Sequence, residues 1–574
     1  MKMRLRFIIL TSIALMGSLL LSAQEKYINH KTMSQKIEAL GKEYSGLCTI
    51  KSLEKTAGGK DIWLITIGKG NKDSKPGIAI IGGIEGNYIL GRELALGFAA
   101  LILKNSSTAE ITDLLNKITF YILPDVSPDA SEQFFSGLKY ERAVNARSTD
   151  DDRDFIFGED PYEDLNKDGY ISLIRIKDPV GNYVKSDDDK RIMVPADLSK
   201  GQTGGYLVYS EGIDNDKDGA YNEDGEGGVS FNRNLTYNYE EFGQGAGLYP
   251  VSEPETKAVA DFLYERFNIY ATFAFSPQDN LGQPMKSSDR PATGPQDNGG
   301  QQIRPSERIF PGSQDVGGQQ MRSGERPSFG KKLTSITGSD EIINKLVSEK
   351  YHEITGVKGA PEAITAPGNF MEWAYFHYGR YSFSTPGWWF PIEKGKNQEV
   401  AFLKFAAKNK MNDVFIPWTE VQHPDFPGKI TEVGGIKPFA MITPPADTLG
   451  DLITSHYKFI TAIAVLHPEL EFLDVKSESA GENVFRLSLK IHNKGVFATC
   501  AEVGNQNIWT RIMRLTIEPG KGQTIVSGLK VQRIQRLQGD ESAEFSWLIT
   551  GKGTVNLVAG AANVGSISNA VELR

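Results

Sequence analysis

Histidine is scarce in this 574-residue chain, with seven residues in all and none between His30 and His352. That gap excludes a metal site built on paired imidazoles from more than half of the sequence. Cysteine is scarcer still. Cys48 and Cys500 stand alone and far apart, so a disulfide scaffold is excluded by count and two buried, unpaired thiols are expected. Basic residues do not outnumber acidic ones: 63 Lys and Arg against 72 Asp and Glu give a formal net charge of -9. A general affinity for nucleic acid needs a basic surface and is therefore not expected. Past the N-terminal region no run is long and apolar enough to cross a bilayer, so no transmembrane segment is expected in the mature chain.

What is present begins with Lys2, Arg4 and Arg6, an apolar run from Phe7 to Leu21, and the small residues Ser22 and Ala23. This order of charge, apolar run and small residues is that of a secretory signal peptide over residues 1–23. The expected location is outside the cytoplasm: periplasmic, at the cell surface or extracellular. The length calls for at least two domains. Apolar periodicity places a helix over Met33–Tyr44, strands over Cys48–Leu53 and Ile62–Ile67 joined by a turn holding Gly58 and Gly59, a strand over Gly77–Ile84, a helix over Glu93–Leu103 and a strand over Ile118–Leu123. Such alternation predicts an α/β domain with a mixed central sheet flanked by helices, spanning residues 24–466.

Two stretches interrupt it. From 149 to 222 acidic residues crowd together: Asp150, Asp152 and Asp154 alternate, Asp164, Asn166 and Asp168 precede Gly169, and Asp214, Asp216 and Asp218 precede Gly219. Oxygen ligands at positions one, three and five with Gly at six form the first half of an EF-hand loop. Position twelve is Arg175 in one and Gly225 in the other, so neither is an EF-hand. Solvated Asp-Gly turns have the same appearance, but two full matches in one segment favour calcium, holding together an insertion with little apolar content of its own. From 285 to 330 the chain is rich in Gly, Gln, Pro, Ser and Arg and repeats itself, Pro295–Arg304 being echoed by Ser313–Arg322. A composition of this kind predicts a disordered loop. Helical patterns return at Asp340–Thr355 and Asn369–Tyr378. After His467 the strands Val484–His492, Trp509–Ile517, Gln523–Leu529, Ala543–Ile549 and Thr554–Ala561 predict an immunoglobulin-like β-sandwich over residues 467–574.

The segment Gly82-Gly83-Ile84-Glu85-Gly86-Asn87-Tyr88-Ile89-Leu90-Gly91-Arg92-Glu93 resembles the metal-binding segment of the zinc carboxypeptidases of the carboxypeptidase A-like family, Gly-x-x-His-Gly-x-Glu-x-x-Gly-x-Glu. Gly228-Val229-Ser230-Phe231-Asn232-Arg233-Asn234 and Ser252-Glu253-Pro254-Glu255 resemble that family's Gly-Val-Asp-Leu-Asn-Arg-Asn and Ser-Glu-Pro-Glu segments. The resemblance implies a carboxypeptidase-like fold, with Asn232 and Arg233 gripping a ligand carboxylate, for which a guanidinium fork is suited. It also implies that Arg142 or Arg147 polarises a carbonyl. At the metal positions it implies loss: Glu85 and Tyr88 stand for His and Glu, Phe275 for the third ligand, and Pro386 for the general-base Glu. Zinc in a hydrolytic site needs His or carboxylate ligands and an open position, so zinc is not expected, and a substitute set of Glu85, Asp129 and Glu93 would favour calcium or magnesium. The reading that follows is a secreted, catalytically inactive carboxypeptidase-like protein that binds peptide or peptidoglycan-derived peptide ends. The alternatives are an active metallocarboxypeptidase with non-standard ligands and a structural or glycan-binding surface protein.

Overall fold

The structure, a computed structural model, describes residues 26–574 apart from 151–156, 159, 216, 218, 220, 223–226, 288–332, 362–365 and 394. The expected signal peptide, nearly all of the repetitive loop, and Asp152, Asp154, Asp216 and Asp218 lie outside the described residues.

The N-terminal half opens with α1 (His30–Glu43), whose first turn is capped by Asn29, the side-chain oxygen accepting from the Thr32 N–H at 3.0 Å. This satisfies a backbone donor that the helix leaves open. Strands β1 (Cys48–Lys55) and β2 (Asp61–Ile67) form the expected antiparallel hairpin. Then come β3 (Gly77–Ile81), α2 (Ile89–Lys104), α3 (Ala109–Lys117) and β4 (Thr119–Leu123). The acidic stretch supplies β5 (Leu173–Lys177), β6 (Tyr183–Lys185), β7 (Met193–Pro195) and β8 (Tyr206–Ser210). After it the chain runs through α4 (Pro254–Glu265), β9 (Ile269–Phe275), α5 (Gly338–Thr355), α6 (Phe370–Phe376), β10 (Tyr381–Thr385), α7 (Gln398–Lys408), β11 (Phe415–Val421), β12 (Thr431–Ile436) and α8 (Leu449–Ala464).

The central sheet has the order β1-β2-β4-β3-β9-β10. Its four inner and distal strands β4, β3, β9 and β10 are parallel, and β1 and β2 add antiparallel neighbours. Every residue of β3, β4, β9 and β10 is buried, as expected of parallel strands covered on both faces. Helices α1, α2, α5 and α8 contribute Met33, Phe98, Tyr351 and Phe459 to the core on one face, and α4 and α6 contribute Phe262 and Trp373 to the core on the other.

The acidic stretch carries regular structure that its sequence did not suggest. Its strands join two from much later in the chain in a second, antiparallel sheet of order β11-β12-β5-β8-β6-β7. Ile174 and Ile176 share one face and pack fully buried with Val433 of β12. Between them Arg175 points to the other face, where it forms a 2.8 Å ion pair with Glu432 and lies over the Trp418 ring. Strand alternation thus organises a segment whose sequence reads as acidic, candidate calcium-binding loops.

From Leu470 onward the chain is all-β. Two four-stranded antiparallel sheets are built from β13 (Leu470–Gly481), β14 (Val484–Asn493), β15 (Met513–Glu518), β16 (Thr524–Ser527), β17 (Val531–Ile534), β18 (Glu541–Thr550), β19 (Gly553–Ala561) and β20 (Gly565–Leu573). Their orders are β13-β14-β18-β16 and β17-β15-β19-β20. Leu487 and Trp547 of one sheet share a core with Leu515 and Leu557 of the other, which makes the unit a β-sandwich. It is joined to the α/β domain by apolar and polar contacts: Phe497 is buried in the α/β core against Tyr270 and Tyr381, the Arg536 guanidinium lies 3.4 Å from the buried Asp340 carboxylate, and Arg380 donates to the Trp509 carbonyl at 2.7 Å. Both cysteines are free, Cys48 buried and Cys500 half-buried where full burial was expected. Among the described residues no helix is long and apolar enough to cross a membrane.

Candidate functional site

Because β3 and β9 run parallel, with Ile81 paired to Ala274, their carboxyl ends emerge on the same edge of the sheet. Crevices at that edge are where open α/β sheets receive ligands. The loop after β3 carries Glu85 and Tyr88, and the three residues after β9 are Ser276, Pro277 and Gln278. Helix α2 starts close to the end of β9: a Cβ on Gly91 would lie 2.6 Å from that of Phe275, so a side chain there would push helix and strand apart. These elements, with the Tyr140–Val144 segment and the turn Phe231–Arg233, enclose a cleft of about 410 Å³.

Glu85, Tyr88, Arg142, Arg233 and Gln278 all line that cleft. At its floor Asn232 is completely buried. Its amide nitrogen donates to Glu85 at 2.7 Å and to the Gln278 side-chain oxygen at 2.5 Å, and its oxygen accepts from the Phe370 N–H at 2.8 Å. Ser276 donates its hydroxyl to the same Gln278 oxygen. Burial pushes the Glu85 carboxyl above its usual range, opposed by the Asn232 hydrogen bond, the nearby Arg233 charge and Gln278. Burial, together with the carboxylates of Glu141 and Glu85, raises the Tyr88 phenol. Arg142 is buried and donates to the Val144 and Asn145 carbonyls at 3.0 and 2.5 Å. Arg233 is exposed and donates to the Gln244 carbonyl at 2.9 Å. Among the described residues its guanidinium forms no ion pair.

The remaining expected residues lie elsewhere. Arg147 is outside the lining of this cleft. It forms a 2.8 Å ion pair with the buried Glu253 and borders a neighbouring cavity of about 770 Å³, as does Asp150. Phe275 belongs to the hydrophobic core, its ring against His456, and Pro386 is buried after β10, outside the cleft lining. Asn232, expected to grip a ligand carboxylate, has its amide nitrogen bonded to Glu85 and Gln278 and its oxygen to the Phe370 N–H. Sequence reasoning missed Gln278, although a polar side chain just past the strand that borders the site is a usable signal. It also missed Asn145, whose amide bridges the buried carboxylates Glu253 and Glu255 at 2.9 and 2.7 Å.

The residues at the family's metal positions do not fit zinc. Phe275 offers no donor atom, the Tyr88 phenol is held protonated by its surroundings, and Glu85 is bound by an amide. The substitute set is dispersed as well. Asp129 pairs with Lys60 at 3.0 Å, and Glu93 accepts from the Ile28 N–H at 3.1 Å. Among the described residues no group of three or more His, Cys, Asp or Glu side chains is placed to hold a metal ion. In the acidic loops Asp164 accepts from the Asp168 and Gly169 N–H groups at 3.1 and 2.7 Å, Asn166 accepts from the Asp168 N–H at 3.0 Å, and Asp214 accepts from the Gly219 N–H at 3.1 Å.

Comparison with known proteins bears on this arrangement. A family model described as zinc carboxypeptidase matches residues 33–188, and one described as a domain of unknown function matches residues 469–572. The chain is similar to human carboxypeptidase D, 26% identical over 188 residues that cover 31% of this chain and 12% of that protein. It is also similar to mouse carboxypeptidase M, 24% identical over 111 residues that cover 19% of this chain and 25% of that protein. Thus the matched region spans about an eighth to a quarter of these relatives. Among solved structures, thrombin-activatable fibrinolysis inhibitor aligns with a TM-score of 0.40 and 14% identity over 77% of this chain and 75% of that one. The bovine form in complex with tick carboxypeptidase inhibitor aligns with a TM-score of 0.39 and 14% identity, over 77% and 98%. The family-model match supports a carboxypeptidase-like domain that includes residues 33–188.

Proposed function

We propose that this is a secreted carboxypeptidase-like protein without zinc hydrolysis, whose cleft binds the carboxylate end of a peptide, of cell-wall or other origin, at Arg233. The observation that carries the reading is the hydrogen-bonded set Glu85–Asn232–Gln278. It ties up one Glu85 oxygen, the Asn232 amide and the Gln278 oxygen at the floor of the cleft and leaves an exposed guanidinium at its mouth as a group suited to an anion. Two supports are added by the C-terminal unit and the acidic loops. Its strand order, β13-β14-β18-β16 against β17-β15-β19-β20, favours an immunoglobulin-like sandwich, and the one-three-five spacing of the acidic loops favours calcium as a structural ion.

The test is elemental analysis of the purified protein together with a hydrolysis and binding panel. The expected result is no stoichiometric zinc, calcium present, no release of C-terminal residues even with added zinc, and peptide binding that Arg233→Ala removes. One zinc per chain with chelator-sensitive release of C-terminal residues would establish instead an active enzyme with unconventional ligands.

A further inference from the structure

A separate cavity of about 590 Å³ lies in the β-sandwich, and three guanidinium groups line it: Arg511, Arg533 and Arg536. Arg536 is already matched, 3.4 Å from the Asp340 carboxylate. Arg511 and Arg533 are not: among the described residues neither forms an ion pair, and the Glu502 carboxylate in the same wall takes the Ser339 hydroxyl. Arg511 lies over the Phe267 ring, 3.7 Å from its centroid, so the segment between α4 and β9 holds this guanidinium of the sandwich in place. Arg533 stands directly opposite Arg514 in the β15–β17 ladder. Like charges at such a pair are destabilising, and a bound anion removes that cost. In the same lining Asn563 is 4% exposed and donates its amide to the Thr499 carbonyl, while its side-chain oxygen is buried with no partner among the described residues.

We propose that this cavity binds the phosphate group of a small polyol phosphate, independently of the peptide cleft. The balance of charge selects the group. A guanidinium stays protonated in proteins, so the two unmatched side chains present two positive charges, and a phosphomonoester brings about -1.5 to -2 near pH 7. Its three terminal oxygens accept from two guanidinium forks at once, whereas a carboxylate has oxygens for one bidentate pair. The Asn563 oxygen lacks a donor, which a phosphate dianion does not carry and a neighbouring hydroxyl supplies. A cavity of this volume is of the size that takes small molecules. Because the chain as a whole has a net charge of -9, the attraction belongs to this wall and not to a generally basic surface.

The experiment is isothermal titration calorimetry on the full-length mature protein in phosphate-free buffer, with glycerol phosphate, inorganic phosphate and glycerol as probes. Native protein, Arg511→Gln, Arg533→Gln and Lys530→Gln are compared, each checked for folding by its thermal melt. Lys530 is an exposed cation of the same sandwich outside the cavity lining, and both arginines are exposed, so the variants are expected to fold and a failure of one arginine variant leaves the other. The expected result is that glycerol phosphate binds native protein and Lys530→Gln equally, inorganic phosphate binds more weakly and glycerol does not bind. Each arginine variant is expected to lose roughly ten-fold in affinity, the size of one charge-assisted hydrogen bond. No binding of glycerol phosphate to native protein would overturn the proposal, as would unchanged affinity in the arginine variants or an equal loss in Lys530→Gln. Inorganic phosphate binding as tightly as glycerol phosphate would overturn the polyol ligand and assign the cavity to free phosphate.

Discussion

Below the cleft, Glu255 is a buried carboxyl of particular consequence. Burial, helped by the charges of Glu253 and Asp129 and opposed by Asn145, pushes it up to about 7. In the unfolded chain it ionises near the ordinary glutamate value of about 4.3. Between these values the folded protein keeps a proton that the unfolded chain has lost, so stability is full at low pH and falls as pH rises toward 7, by on the order of 3 kcal/mol across the window. Glu255→Gln removes the titration while keeping an oxygen for the Asn145 amide. The expected outcome is that its melting temperature, relative to native protein, rises from pH 5 to pH 8; a constant difference would count against the assignment. At this scale the sequence was half legible. The Asn232-Arg233 pair announced itself as a motif, and both residues do border or support the cleft. What the motif could not convey is that the Asn232 amide is bonded to Glu85, because that depends on a contact between residues 147 positions apart.

Between α2 and β9 the spacing is set by the absence of a side chain at Gly91. The helix start, which follows the loop bearing Glu85 and Tyr88, rests on Phe275 at a distance that no Cβ tolerates. Gly91→Leu is expected to destabilise the protein by about 2 kcal/mol or more through overpacking, read as a lower midpoint in urea, and to weaken peptide binding because the loop moves with the helix. Unaltered midpoint and affinity would show that the helix shifts freely. The elements of the central sheet were legible because their signals are local: continuous apolar runs for β3 and β4, and a Gly pair in the β1–β2 turn. The strands of the acidic stretch were not. They are three to five residues long, lie among acidic turns, and gain their partners β11 and β12 from a distant part of the chain, so periodicity within the segment gives little warning.

The two large units of the molecule meet around Asp340, which accepts from the Glu502 N–H and the Tyr375 hydroxyl, both at 2.8 Å, and faces Arg536. Loss of one partner from a buried ion pair leaves an uncompensated charge and typically costs about 3–5 kcal/mol. Arg536→Ala is therefore expected to separate the thermal unfolding of the β-sandwich from that of the α/β domain, giving two calorimetric transitions where native protein gives one. A single transition at the native temperature would mean that the remaining contacts, such as Arg380 to Trp509, suffice. That an all-β region follows an α/β region was readable from the change of apolar period alone. The contacts that join them were not, since they pair residues from opposite ends of the sequence pattern. The second sheet has a further consequence, for the order of events during synthesis. Strands β5 to β8 leave the ribosome long before β12, so β5 must wait with an unpaired edge until residue 436 has been made. Completion of that sheet is a late, long-range step, and until then the waiting edge is exposed to mispairing.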